Sequence, residues 1–181
     1  MYNFLIVEDQ ESKYIEIAEV FNVFNVNITW ANNLEKADHE IAINNFDLII
    51  LDITLSESRS NNFHYELDGY SVIGTIENEN MSPTIVVTQY NNFENGELYK
   101  SNQEPVLVNN HYDDYNYYMQ PAHYESNKNI HLLSSLHDFF CSRFHFYVGA
   151  VRYRYDSDEW KDYLKELIHK VKELEYEDII A

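Results

Sequence analysis

The sequence predicts an α/β fold with a parallel sheet, because short apolar runs alternate with amphipathic stretches through its first half and again near its end. The first run, residues 4–7 (Phe-Leu-Ile-Val), has none of the polar alternation of a half-exposed strand. Such runs are typical of strands that are buried on both faces of a parallel sheet. The connections between elements are short, which favours right-handed crossovers from strand to helix to strand.

Five strands are expected from this pattern. They cover residues 4–7, 27–31, 46–51, 84–88 and about 146–153. The run at 46–51 is the most apolar of them and ends at Asp52, and the strand at 84–88 follows Pro83. These positions predict one sheet that is assembled from both halves of the chain.

Five helices separate and follow these strands. We expect them at residues 11–24, 33–44, 69–77 and 130–144, with a closing helix that begins near Ser157. Asn33 is the predicted N-cap of the second helix. The apolar residues at close to helical spacing are Ile15, Ile17, Ala18, Phe21 and Phe24 in the first helix, Leu34, Ala37, Ile41 and Ala42 in the second, and Leu164, Leu167, Ile168, Val171 and Leu174 in the last.

Two segments interrupt the alternation. Residues 89–128 are rich in tyrosine and asparagine and show no clear period, so we expect a partly ordered insertion with a hairpin around 106–108. A second, polar insertion at about 55–67 is expected to be a surface loop, with a lid over the neighbouring acidic residues as the alternative.

Composition limits the function. The chain has 181 residues and a formal net charge of −19, which fits one domain over 1–181 and disfavours binding to nucleic acids or anionic membranes. No apolar run approaches the length of a membrane span, and the N-terminus lacks the features of a signal peptide. The only cysteine, Cys141, is expected to be a buried apolar residue, and we expect a cytoplasmic location.

Acidic residues follow two of the predicted strands. Glu8 and Asp9 come directly after the first strand, Asp52 comes after the third, and Thr88 ends the fourth. The carboxyl ends of parallel strands meet at one edge of the sheet, so these side chains are expected to lie together. Three carboxylates in one place repel each other unless a cation lies among them, and oxygen ligands favour Mg²⁺ over zinc.

These residues resemble a known family. Residues 5–10 (Leu-Ile-Val-Glu-Asp-Gln), 46–52 (Phe-Asp-Leu-Ile-Ile-Leu-Asp), 68–70 (Asp-Gly-Tyr) and 85–88 (Ile-Val-Val-Thr) are similar to the receiver domains of two-component response regulators. The resemblance covers residues 2–88 and, more loosely, 130–176. It implies a three-layer, doubly wound, flavodoxin-like fold with a five-stranded parallel sheet.

The resemblance also implies a set of roles. Asp52 would accept a phosphoryl group from a histidine kinase, and Thr88 would be the switch hydroxyl. Mg²⁺ would be bound by Glu8, Asp9, Asp52 and the backbone carbonyl of Thr54. The protein's own part in such chemistry is mainly positioning and charge compensation.

The sequence departs from the family in three respects. The family has a lysine, usually followed by proline, at the end of the fifth strand, whereas this chain has no Lys-Pro there. Arg154 is the nearest cationic candidate and Arg152 the second, although a guanidinium does not replace a compact ammonium. Gln89 is bulkier than the small residue that the family favours after Thr88, and the two insertions are additional.

Two functions remain in competition. The first hypothesis is a degenerate or atypical receiver without an output domain, which keeps the acidic pocket and acts through protein–protein contacts. The second is a conventional phosphoacceptor response regulator that is modified on Asp52. A magnesium-dependent phosphohydrolase would need a second acid two residues after Asp52, where the chain has Thr54, so we expect no enzyme beyond self-phosphorylation. A histidine kinase, an effector protein or a second copy of the chain is the expected partner.

Overall fold

The computed structural model describes residues 1–53, 55, 68–88, 90–94, 97–100, 106–107 and 144–171. Its strands are β1 (Tyr2–Val7), β2 (Val26–Ala31), β3 (Leu48–Leu51), β4 (Thr84–Thr88), β5 (Tyr90–Glu94), β6 (Glu97–Lys100), β7 (Val106–Leu107) and β8 (Tyr147–Arg152). Its helices are α1 (Glu11–Val20), which continues into a 3-10 turn at Phe21–Val23, then α2 (Leu34–Ile43), α3 (Asp68–Glu79) and α4 (Glu159–Ile168).

Five of these strands form the predicted parallel sheet, in the order β2-β1-β3-β4-β8. This order is the flavodoxin-like one, in which the first strand lies between the second and the third. Every pairing between neighbouring strands is parallel. The fold class expected from the sequence is therefore confirmed.

The core lies on both faces of this sheet because successive strand residues point to opposite sides. In β1, Leu5 and Val7 pack on the face that α2 and α3 cover. Phe4 and Ile6 pack on the opposite face, which α1 and α4 cover. The continuous apolar runs of the sequence thus mark strands that are buried on both faces, and the result is a three-layer domain.

The helices begin and end close to the predicted positions. Asn33 caps α2 as expected, because its side-chain oxygen accepts a hydrogen bond from the Lys36 amide at 2.8 Å. Two core assignments were wrong: Ile15 is 48% exposed and Ala42 is also exposed, whereas Lys13 is on the buried side of α1. In and just beyond α4 the predicted apolar residues Leu164, Leu167, Ile168 and Val171 are buried, and Leu174 lies outside the described residues.

The insertion after β4 contains more regular structure than its sequence pattern indicates. Strands β5, β6 and β7 form a separate antiparallel sheet in that order. A hairpin was expected around 106–108, and β7 pairs antiparallel with β6 there. Strands β5 and β6 themselves were not predicted, because asparagine at 91 and 92 is unfavourable in strands. The insertion at 56–67 and the expected helix at 130–143 lie outside the described residues.

Within the described ranges, no helix is long and apolar enough to cross a membrane.

Candidate functional site

The structure brings the predicted acidic residues together at the carboxyl edge of the sheet. Glu8 and Asp9 follow β1 and Asp52 follows β3, and one carboxylate oxygen from each lies within 4.8 Å of the others. Glu8 and Asp52 are buried, and Asp9 is half-buried. Thr88, the last residue of β4, is fully buried. We call Glu8, Asp9 and Asp52 the acidic pocket, and these three carboxylates are close enough to bind a metal ion.

Backbone hydrogen bonds between the strands fix the two buried acids. The Glu8 amide donates to the Ala31 carbonyl at 3.0 Å, and the Asp52 amide donates to the Val7 carbonyl at 2.9 Å. The indole N–H of Trp30 donates to the Glu8 carbonyl at 2.8 Å. Both carboxylates therefore extend from strand ends whose main chain is held in the sheet.

Gly69, which follows Asp68, lies against the backbone of the acidic pocket. Its amide donates to the Ile53 carbonyl at 3.1 Å, so the first turn of α3 lies directly against the segment that carries Asp52. A Cβ at position 69 would overlap the Asp52 carbonyl oxygen and the Ile53 Cα. Only glycine allows this approach of the two backbones, and it couples the start of α3 to the position of Asp52.

A lysine that the sequence interpretation missed reaches the acidic pocket. Lys13 lies in the first half of α1, and its Nζ is 2.7 Å from Asp52 Oδ2 and 2.7 Å from Glu8 Oε2. The three side chains are at most 1% exposed. A cation that compensates the pocket thus comes from the first helix.

The sequence did contain a signal for Lys13. Lys13, Ile17 and Val20 are the buried residues of α1, at i, i+4 and i+7, so the lysine lies in line with the apolar stripe. A charged residue on a core-facing stripe is almost never fully buried without a partner. A lysine in such a position, four residues after Asp9, would have indicated an ion pair with the acids.

Burial sets the electrostatics of the pocket. Desolvation raises the pKa of Glu8 to about 8, against the opposing effect of the Lys13 ammonium. Burial also raises the pKa of Asp9 above its usual range. Burial alone would lower the pKa of Lys13, but the charges of Asp52 and Glu8 outweigh that effect and raise it. Lys13 is therefore a permanent cation at neutral pH.

Tyr153 directly follows β8, the strand at whose end the resemblance implies a lysine. Its amide donates to the Thr88 carbonyl at 2.9 Å, and its ring centroid lies 5.4 Å from Lys13 Nζ. Its hydroxyl donates to Glu16 Oε1 at 3.0 Å. Burial and this hydrogen bond raise the pKa of Tyr153 to about 12. The residue contributes a neutral aromatic wall beside the ammonium of Lys13.

The predicted replacement for the missing lysine occupies a different environment. Arg154 makes a two-pronged contact with Asp156, with Nε to Oδ1 at 3.1 Å and a terminal nitrogen to Oδ2 at 3.0 Å. Both side chains are more than 40% exposed. The structure thus supplies a buried ammonium to Asp52 from Lys13, whereas Arg154 pairs with a neighbour at the surface. Arg152, the second candidate, ends β8.

Three residues that the sequence analysis singled out lie outside the described residues. These are Thr54, whose carbonyl was expected to bind Mg²⁺, Gln89, the bulky residue after Thr88, and Cys141.

Comparison with known proteins supports the fold. No protein-family model matches the sequence, and no curated protein sequence matches it significantly. A receiver domain protein (CheY-like) from Methanospirillum hungatei is similar over 96% of this chain and 95% of its own, with 13% identity and a TM-score of 0.53. The receiver domain of the Francisella response regulator 1452 is similar over 95% and 98%, with 15% identity and a TM-score of 0.50.

A third similar structure covers less of both chains. It is a two-component response regulator from Clostridium difficile, with 25% identity and a TM-score of 0.41. The similarity covers 49% of this chain and 66% of the other, so this chain spans just under two thirds of that protein's length. Together with the strand order, the two full-length similarities show that this chain has the fold of a response-regulator receiver domain.

Proposed function

We propose that this chain is an atypical receiver-like signalling protein that acts through contacts with other proteins. In this proposal Asp52 is held in an internal ion pair and is not a readily available phosphoacceptor. The observation that carries the proposal is the 2.7 Å contact between Lys13 Nζ and Asp52 Oδ2, in which both side chains are 1% exposed. The receiver fold and the acidic pocket at its usual edge support the signalling role.

Phosphoryl transfer would require Asp52 to attack a phosphorus atom in line with the leaving group. A carboxylate that is buried and already bonded to an ammonium must first be uncovered and partly released. Breaking a buried pair by moving one partner leaves an uncompensated charge, which is strongly unfavourable. The resting pocket therefore favours a stable, unmodified Asp52.

The conventional phosphoacceptor is the second candidate, and one observation favours it. Lys13 provides a buried ammonium next to Asp52, which is the kind of charge that stabilises a transferring phosphoryl group. Mg²⁺ would be bound by Glu8, Asp9 and Asp52, and when bound it would neutralise charge on the reacting oxygens. Thr88, at the end of β4, would be the switch hydroxyl.

Protein partners fit the charge of the molecule better than nucleic acids do. The net charge of −19 opposes contact with phosphate backbones, whereas it leaves histidine kinases, effector proteins or a second copy of this chain as partners.

Intact-mass measurement after incubation with a small acyl phosphate and Mg²⁺ separates the two candidates. Wild type and Asp52→Asn are compared over the same time course, so that labelling elsewhere is subtracted. The proposal predicts slow, substoichiometric labelling of wild type, since Asp52 must leave its ion pair first. Rapid addition of one phosphoryl group per chain, absent from Asp52→Asn, would favour the conventional phosphoacceptor.

A further inference from the structure

The acidic pocket already contains a cation of its own. Lys13 Nζ lies 2.7 Å from an oxygen of Glu8 and 2.7 Å from an oxygen of Asp52, two of the three carboxylates that would bind a metal ion. A divalent ion bonded to those oxygens would lie within a few ångströms of the ammonium. Two cations in a buried site repel strongly because little solvent screens them.

The lysine cannot easily leave. Its side chain is 1% exposed, and it extends from the face of α1 whose other residues, Ile17 and Val20, belong to the core. The aromatic ring of Tyr153 borders the ammonium on another side. Moving the ammonium into water would therefore require α1 to shift, not only a change of rotamer.

The third carboxylate retains capacity for a cation. Asp9 Oδ1 is buried and has no hydrogen-bond partner among the described residues. Buried carboxylate oxygens normally have such a partner. The pocket thus has oxygen ligands that suit a hard cation, while one oxygen on each of its two buried carboxylates already contacts an ammonium.

We infer that Lys13 is a resident cation that excludes divalent metal ions from the acidic pocket, so that the pocket is a metal site only when this ammonium is removed. The inference deepens the proposed function, since it explains how Asp52 is kept in its unmodified state, and it concerns the same site. It assigns Lys13 a positioning and gating role that the family resemblance does not imply.

Binding of Mn²⁺, followed by loss of the free-ion signal in electron paramagnetic resonance, tests the inference. The variants are wild type, Lys13→Met, and Lys36→Met as the control, because Lys36 is an exposed lysine of α2 and its loss changes the net charge equally. We expect Lys13→Met to bind one Mn²⁺ per chain at least about tenfold more tightly than wild type, a difference of about 1.4 kcal/mol. Lys36→Met should match wild type.

Circular dichroism of the same samples accounts for folding. If Lys13→Met folds only when Mn²⁺ is present, the inference is supported, because the metal then replaces the missing charge. If the folded variant binds no more Mn²⁺ than wild type, the inference is wrong.

A second comparison does not depend on changing Lys13. Wild type and Asp9→Asn should show the same weak Mn²⁺ binding, because the pocket is closed to metal in both. Tight binding of one ion by wild type that Asp9→Asn abolishes would overturn the inference. Slow labelling of Asp52 in the same wild-type protein would still support the proposed function. The metal-exclusion inference and the proposed function can therefore fail separately.

Discussion

Two ion pairs near the carboxyl edge of the sheet differ in burial, and burial determines how strongly each pair constrains its surroundings. Lys13 contacts Asp52 and Glu8 with all three side chains at most 1% exposed, whereas Arg154 contacts Asp156 with both side chains more than 40% exposed. The distances are similar, at 2.7 and 3.0 Å. Water screens the exposed pair, but little screens the buried one, so only the Lys13 pair strongly constrains the pocket.

The comparison also shows why the nearest cation in sequence was a poor candidate. Arg154 was selected by its distance from the last helix, but it turns back to a neighbouring acid two residues later. Lys13 reaches the pocket because α1 packs on the sheet face that includes residues of β1 and β3, the two strands that the acids follow. In a doubly wound fold, a helix can supply the charge that a strand end lacks.

Substituting each cation in turn should give the largest difference in stability between the two ion pairs. Lys13→Met should lower the free energy of unfolding in metal-free buffer by about 3 to 5 kcal/mol, because it leaves the buried carboxylate of Asp52 without its ammonium. Arg154→Ala should be indistinguishable from wild type. Urea unfolding followed by circular dichroism measures both. Equal losses would show that burial does not distinguish the two pairs.

A pair of glycine variants tests whether the backbone under Asp52 is as constrained as the side chain. Gly69→Ala should destabilise the fold by about 1 to 3 kcal/mol, because the new Cβ overlaps the main chain of Asp52 and Ile53. Gly74→Ala, in the same helix but with open space at its Cβ, should raise stability by about 0.5 to 1 kcal/mol. Thermal or urea unfolding measures both, and a tolerated alanine at 69 would contradict the close approach.

Substituting Tyr153, which borders the buried pair, should have a smaller effect on stability, and that effect should depend on pH. Tyr153→Phe removes the hydrogen bond to Glu16 and should cost about 0.5 to 1.5 kcal/mol at neutral pH. The pKa of Tyr153 is raised from 10.0 to about 12 in the folded protein, so its contribution is full below pH 10 and is lost as the pH rises through 12. Stability curves of the two proteins should therefore converge at high pH, and a constant difference would refute this.

Much of the fold follows from the sequence because it depends on patterns that are local. Continuous apolar runs form the buried parts of β1 (residues 4–7), β3 (48–51) and β4 (85–87), and the N-cap at Asn33 needs only its own side chain. The meeting of Glu8, Asp9 and Asp52 follows from parallel topology alone. By contrast, β5 and β6 depend on pairing with each other, which the asparagine-rich sequence does not indicate.

The missed part of the site has a similar cause. Lys13 stands on an amphipathic helix, and lysine residues on such helices are usually exposed. The apolar stripe of α1 indicates that Lys13 faces the core, but the carboxylate oxygens that it contacts, on Glu8 and Asp52, are identified only when α1 is docked on the sheet. An ion pair between different elements depends on tertiary structure. Predicting it therefore requires the position of the helix on the sheet as well as the residue types.

A double-mutant cycle measures whether Lys13 and Asp52 form a coupled buried pair. Lys13→Met, Asp52→Asn and the double variant are compared with wild type by urea unfolding in metal-free buffer. The pair predicts that the double variant loses less stability than the sum of the single losses, with a coupling of about 1 to 3 kcal/mol. Losses that add to within about 0.5 kcal/mol would contradict it.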